Sequence, residues 1–268
     1  MHPRAFLVRG LLVGLLAGIA TFVVAHQVGE PHVERAIALE EAGAAVPADG
    51  DHAHHEEAGA GHSHGADEED GGTVVPRATQ RTWGLLTGAV AVGVALGAIV
   101  ALVSAAAVGR LGSLSAGAST AVVSLVGFVS TALVPFLKYP ATPPAVGSGD
   151  TIGARTEQYF AFVAVSVVAA ALATVLARRL LPRLGAYGAV ISGTAAYVAV
   201  VVVVGLAMPT VNEVGAFPAD TLWYFRRASL LTLATLWAGI GIGLTGLLGQ
   251  LGQRERAAVE RRELAASL

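Results

Sequence analysis

Residues 82–109 read TWGLLTGAVAVGVALGAIVALVSAAAVG, 28 positions without an Asp, Glu, Lys or Arg. A helix needs only about 20 apolar residues to cross about 30 Å of hydrocarbon. A charge at the centre of such a helix costs at least roughly 2.5 kcal/mol, so long uncharged runs mark membrane segments. Five further runs of this kind follow from the same rule: 10–29, 111–137, 158–177, 184–212 and 228–253. They are rich in Ala, Leu and Val with little strict alternation, which argues against an outer-membrane barrel. A helix satisfies its own backbone polar groups in lipid and a lone strand does not. The sequence therefore predicts an all-α, polytopic membrane helix bundle forming one membrane domain over 1–268. About six spans are expected, near 6–28, 83–108, 113–136, 158–180, 186–208 and 228–249, with a charged cytoplasmic tail at 251–268.

Composition points the same way. Of 268 residues, 54% are hydrophobic and only 13% charged, with mean hydropathy +0.65. A soluble domain carries about a quarter charged residues. The chain has no cysteine, which excludes disulfides, thiolate metal sites and a Cys nucleophile. The first run admits a second reading: Arg4 and Arg9 precede an apolar stretch, and Val23-Val24-Ala25 resembles a signal-peptidase site, whose use would leave five spans. The run is longer than the usual h-region of about 7–15 residues, which favours retention.

Arg and Lys placement sets the orientation. With the N-terminus in the cytoplasm, Arg4, Arg9, Arg110, Arg178, Arg179, Arg183 and the Arg residues of the tail lie inside. Arg35, Arg77, Arg81, Lys138, Arg155, Arg226 and Arg227 then lie outside. The polar, Pro-containing loops at 138–157 and 209–227 share the outer face with the first loop. Glycines at four-residue spacing (Gly10, Gly14 and Gly18; Gly84 and Gly88; Gly93 and Gly97; Gly239 and Gly243) predict close helix crossings and need no other explanation.

The first loop carries the strongest chemical signal. Within 42–72 stand Asp51-His52-Ala53-His54-His55-Glu56-Glu57, His62-Ser63-His64 and Asp67-Glu68-Glu69-Asp70. Low hydrophobicity, glycines and acidic excess predict a disordered segment. Neutral imidazoles suit Co, Ni, Cu and Zn, and neighbouring carboxylates attract cations. His52, His54, His55, His62 and His64 are therefore candidate ligands for capturing a divalent metal, against the alternative of a solvated acidic linker. Flexible His clusters discriminate poorly among metals, so this loop is a collector rather than a selective site. His26, Glu30 and His32 at the end of the first span form a second candidate ligand set, though such residues often only cap a helix. Asn212 and Glu213, where a later span ends, offer oxygen ligands; Glu213 can equally pair with Lys138, Arg226 or Arg227. Trp223-Tyr224-Phe225 reads as an interfacial aromatic belt.

Several stretches together resemble the CbtA family of cobalt transporter subunits: Arg9-Gly10-Leu11-Leu12, Gly29-Glu30-Pro31 with Ala36 through Glu40, Pro135 through Gly147, Thr151 through Thr156, and Pro209 through Ser229. The resemblance spans essentially the whole chain in order, and Phe136-Leu137-Lys138-Tyr139-Pro140 is among its most specific parts. It implies cobalt uptake linked to cobalamin synthesis, five spans where the residues read as six, and a small one-span partner, CbtB, that itself ends in histidines. Positions carried over as candidates are Glu30, Glu40, Lys138, Tyr139, Asn212, Glu213 and Arg226.

The expected function is uptake of a divalent metal, most simply cobalt, across the cytoplasmic membrane of a bacterium. The transported ion is cargo, and no tightly bound cofactor, enzyme activity or nucleic-acid partner is expected; membrane lipid, the small subunit and a homo-oligomer are the expected partners. No charge lies inside any span, so the intramembrane carboxylate or histidine usual in ion-coupled carriers is missing. No P-loop pattern is present. Three possibilities fit this pattern: a path lined by Ser, Thr, Met and backbone carbonyl groups (for example Ser119, Thr120, Ser124, Ser130, Thr131, Ser192 and Thr194), a path formed at an interface with a partner, or a capture subunit for another permease. Nickel or zinc as cargo, and a metal-sensing scaffold without flux, stay open on the residues alone.

Overall fold

The structure, a computed structural model, describes residues 3–44 and 75–267. Among these residues it is helical with no strand, and five helical elements are long and apolar enough to cross a membrane. They are α1 (Pro3–Gly43), α2 (Arg77–Ala107), α3 (Ala116–Lys138), α4 (Gly149–Ala207) and α5 (Ala219–Ala266). Large apolar side chains such as Leu16, Leu172, Leu206 and Ile242 are exposed on their flanks, as lipid-facing surfaces require.

The sequence reading expects six separate spans, and here the structure differs. The runs expected at 158–180 and 186–208 both fall inside α4, because helical turns continue through Arg178, Arg179, Pro182 and Arg183. The break comes only at Gly185 (φ 67°, ψ 179°), a conformation a Cβ would strain. The two arms of α4 lie against each other. Ser166 and Tyr197 hydroxyls are hydrogen-bonded at 2.8 Å, Phe162 packs with Tyr197 and Val201, and Gly193 sits close against Ala173 and Ala177.

Other boundaries also shift. At about 1.5 Å per residue, the 41 residues of α1 reach about 60 Å, twice the apolar thickness of a bilayer. Its polar last third, from Glu30, thus projects beyond the apolar stretch, and residues 42–44, expected within the disordered loop, continue the helix. The tail from 251 is likewise a helical continuation of α5, ending at Ala266.

Tight crossings form at most of the predicted glycines, but not at Gly84 and Gly88: no other helix lies within 4 Å of a Cβ at either. Gly10 faces Gly97, Gly14 faces Gly93 and Gly18 faces Ala89, so close that a Cβ on Gly14 would stand 2.2 Å from the Gly93 carbonyl oxygen. α1 and α2 are thereby zipped antiparallel. α5 lies along α1, with Gly239 on Ala17 and Gly243 on Val13, and also along α3. Phe6, Val13, Ala17, Val100, Trp237, Ile240 and Leu244 share the buried core of this group. The α4 hairpin joins the bundle through the end of α3, where Val129, Val134 and Tyr139 meet Phe162 and its neighbours.

Two prolines explain two wide π turns. Pro31 and Pro135 lack the N–H that would bond four residues back, and the helices widen over Ala25–Gly29 and Val129–Leu133 just before them. A third wide turn, Gln80–Gly84, has no proline behind it.

Candidate functional site

Where the two groups of helices separate, they leave a cavity of about 830 Å³. Its walls come from the end of α1 (Ala25, Gly29, Glu30, Val33), the start of α2 (Leu85), the end of α3 and the loop after it, the start of α4, and the 211–233 region. The motif stretches 135–147, 151–156 and 209–229, distant in sequence, thus converge on one end of the bundle.

Prolines and glycines build this end. Pro140, Pro143 and Pro144 break the helix after Lys138, Val146 N–H donates to the Pro143 carbonyl at 3.3 Å, and Gly147 (φ 94°) turns the chain back. The Arg155 guanidinium lies flat against Gly147, where any Cβ would stand 2.3 Å from Nη1. Pro209 follows α4 and Pro218 caps α5, leaving an irregular loop between them.

Side chains then tie the loops together. Glu213 accepts from Thr151 Oγ1 at 2.8 Å and from the Ser148 backbone N–H at 3.2 Å, and pairs with Arg155 Nε at 3.7 Å. Tyr139 O–H donates to the Pro209 carbonyl at 2.9 Å, and burial pushes this phenol's pKa up. Lys138 Nζ donates to the Met208 carbonyl at 3.2 Å, and Arg226 Nε to the Ala141 carbonyl at 3.4 Å. Arg226 precedes the apolar run of α5, and burial lowers its pKa.

The candidate ligands of the α1 end are placed differently from one another. Glu30 accepts from Arg77 at 2.5 Å, and Glu34 from Arg81. His26 Nδ1 lies 3.1 Å from the Arg81 carbonyl oxygen and its ring stacks on Phe22. His32 stacks on Tyr224, with ring centroids 5.8 Å apart, and its buried Nδ1 has no partner. Burial first, then Arg35 and Arg227, lowers the His32 pKa and favours the neutral ring. Among the described residues no three His, Asp or Glu side chains converge as a metal site. Of the candidate set, Glu30, Lys138, Tyr139, Glu213 and Arg226 line this cavity; Asn212 is exposed beside it, and Glu40 with Glu213 lines a neighbouring, more open hollow of about 1010 Å³. His52, His54, His55, His62 and His64 lie outside the described residues.

Sequence reasoning did not single out Arg155, although it stands in one of the quoted motifs. It also did not separate the inner hydroxyls by environment. Ser104 of α2, Ser119 and Ser124 of α3 and Thr245 of α5 are buried side-chain hydroxyls without hydrogen-bond partners. Thr120 instead bonds back to the Ala116 carbonyl at 2.8 Å. Between these hydroxyls and the cavity, Trp237 lies over Gly127 and against Phe128, ring centroids 6.3 Å apart. The signal that finds them is burial on three facing helices, which one-dimensional spacing does not encode.

A bundle of long apolar helices opened at one end by a loop-lined cavity defines a multi-pass membrane protein. The family described as probable cobalt transporter subunit (CbtA) matches residues 3–249, and the chain belongs to it. That description makes the protein one component of an assembly. No curated protein and no solved structure matches the chain.

Proposed function

We propose that this protein is the membrane-embedded, non-enzymatic subunit of a divalent-metal uptake system, with cobalt as cargo, in the cytoplasmic membrane. The observation that carries this reading is the convergence of the family's motif stretches on the cavity between the two helix groups. The cavity is the outer vestibule. The chain crosses six times, because the 56 α-helical residues Ile152–Ala207 of α4, about 84 Å if straight, turn at Gly185 and pack back on themselves. Both termini are then cytoplasmic, as the Arg bias favours, and the His-rich loop reaches the outer face. There His52, His54, His55, His62 and His64 collect metal and raise its concentration at the mouth.

From the vestibule the route runs past Phe128 and Trp237 to the hydroxyls of Ser104, Ser119, Ser124 and Thr245. Unpartnered buried hydroxyls are costly, about 1–3 kcal/mol each. Water or a hydrated ion passing between α2, α3 and α5 would relieve that cost. Antiparallel pairing supports this grouping: Gly117 meets Thr245 and Gly249, and Gly241 meets Ser124. Glu213 at the mouth is held by the loops rather than free to wrap an ion, so the collector supplies the imidazoles. A small single-span partner completes the system. Uptake of radiolabelled cobalt by cells expressing the chain with that partner tests the reading; cellular cobalt unchanged from cells lacking both would overturn it.

A further inference from the structure

The vestibule has the wrong charge for a bare cation. Its charged lining comprises three cations, Lys138, Arg155 and Arg226, against two carboxylates, Glu30 and Glu213. Both carboxylates are already engaged, Glu30 by Arg77 and Glu213 by Arg155. Lys138 has the Met208 carbonyl and the face of the Tyr139 ring, 5.3 Å to its centroid, and Arg226 the Ala141 carbonyl; no carboxylate among the described residues pairs with either. Each of these bonds uses one donor, while an ammonium has three and a guanidinium five. The rest of the wall is largely apolar, including Val33, Leu85, Phe136, Phe160 and Leu233. Partly desolvated cations facing such a wall call for an anion, because buried charge is normally paired.

We infer that this cavity is an oxyanion site, in which Lys138 and Arg226 bind carboxylate or phosphate oxygens while the apolar wall holds the ligand's body. Arg226 gives a planar fork matched to two oxygens, and Lys138 a point charge. Tyr139 is fixed on Pro209, so it sets the loop geometry rather than reaching the ligand. At about 830 Å³ the cavity admits a small polycarboxylate or a lipid headgroup with the start of its chains. Combined with the uptake reading above, on which this step rests, the cargo-bearing ligand is a metal already chelated by carboxylates, whose net negative charge suits the mouth. A bare hydrated divalent ion meets two cations here and gains nothing from them.

The test uses the full chain in neutral detergent, with calorimetric titration of citrate, citrate with cobalt, inorganic phosphate, and cobalt chloride alone. Citrate binding is expected, with affinity at least roughly tenfold weaker in Arg226→Gln and Lys138→Gln, since a charge-assisted bond is lost. Arg226→Lys keeps the charge but loses the fork, so its affinity is expected between those of the parent and Arg226→Gln; it remains informative if the glutamine variants elute as aggregates. Native mass spectrometry of protein taken from membranes with anionic phospholipid distinguishes the source. Retained lipid that is lost in Arg226→Gln, with no citrate binding by lipid-free protein, makes the oxyanion a headgroup phosphate. Citrate binding by lipid-free protein makes it a soluble carboxylate. No citrate, phosphate or lipid binding, or binding unchanged in both glutamine variants, overturns the site. Cobalt uptake is read separately after the same preparations are reconstituted into sealed liposomes. Uptake without anion binding sinks only this inference, and anion binding without uptake sinks only the transport reading.

Discussion

Replacing Gly14 by Ala should separate α1 from α2. The added Cβ would stand 2.2 Å from the Gly93 carbonyl oxygen and 2.9 Å from both the Gly93 carbonyl carbon and Val94 Cα. Ordinary contact begins at 3.4 Å, so the helices must part locally by the difference of 3.4 and 2.2, or 1.2 Å. All three obstructing atoms are backbone, so no side chain can rotate away. Overpacking costs about 1–3 kcal/mol, and the rigid contact places this case near the upper figure. At roughly 2–4 °C per kcal/mol for a chain of this size, the expected loss in Tm is about 6–12 °C. Gly88→Ala is the matched control, because nothing lies within 4 Å of its added methyl group. It should leave Tm unchanged or raise it slightly, since Ala relieves about 0.5–1 kcal/mol of backbone entropy cost. The assay is size-exclusion recovery after heating in detergent. Equal melting of the two variants, or a fall only in Gly88→Ala, would refute the close α1–α2 crossing.

Three other outcomes are expected. Glu213→Gln should lower Tm by about 2–12 °C, because it breaks the ion pair with Arg155 and leaves a buried donor poorly matched, a cost of about 1–3 kcal/mol; an unchanged Tm would show that Glu213 does not tether the loops. His32 has its folded pKa depressed below 6.5, so its contribution is fully present above that value and is lost as pH falls from 6.5 toward the lowered folded pKa, where the unfolded chain binds the proton first. His32→Phe keeps the stacking on Tyr224 and should melt with less pH dependence than the parent across that window, whereas identical pH profiles would remove His32 from the account. Deleting residues 49–70 should weaken the apparent affinity of cobalt uptake while leaving its maximal rate near the parent's; an unchanged affinity would exclude the histidines as collectors.

The membrane bundle was readable because each span is long, uncharged and apolar, a property that survives without any knowledge of packing. The Gly10, Gly14, Gly93 and Gly97 crossing was readable as well, since close approach demands small residues at helical spacing. Span count was harder. Arg178, Arg179, Pro182 and Arg183 look like a loop between spans, yet at a bilayer surface charged residues can stay helical, and only Gly185 leaves the helix. The ends of α1 and α5 ran past the expected boundaries for the same reason, because polarity stops a span without stopping a helix. The site was legible only as pieces. Pro135 through Gly147 and Pro209 through Ser229 stood out, but that Glu213 pairs with Arg155 rather than with Lys138 or Arg226 depends on how two loops fold over each other. His26, Glu30 and His32 are close in sequence and look like one ligand set. In the helix they have separate partners in the Arg81 carbonyl, Arg77 and Tyr224.

The most direct measurement is accumulation of radiolabelled cobalt inside sealed proteoliposomes that contain the chain together with the proposed small single-span partner, supplied with cobalt as its citrate complex and as the free ion. Time-dependent accumulation above protein-free liposomes, released by an ionophore, is the predicted result. Cobalt retained only on the outer surface, with none inside while the partner is present, would contradict a transport role and leave a metal-binding membrane scaffold in its place.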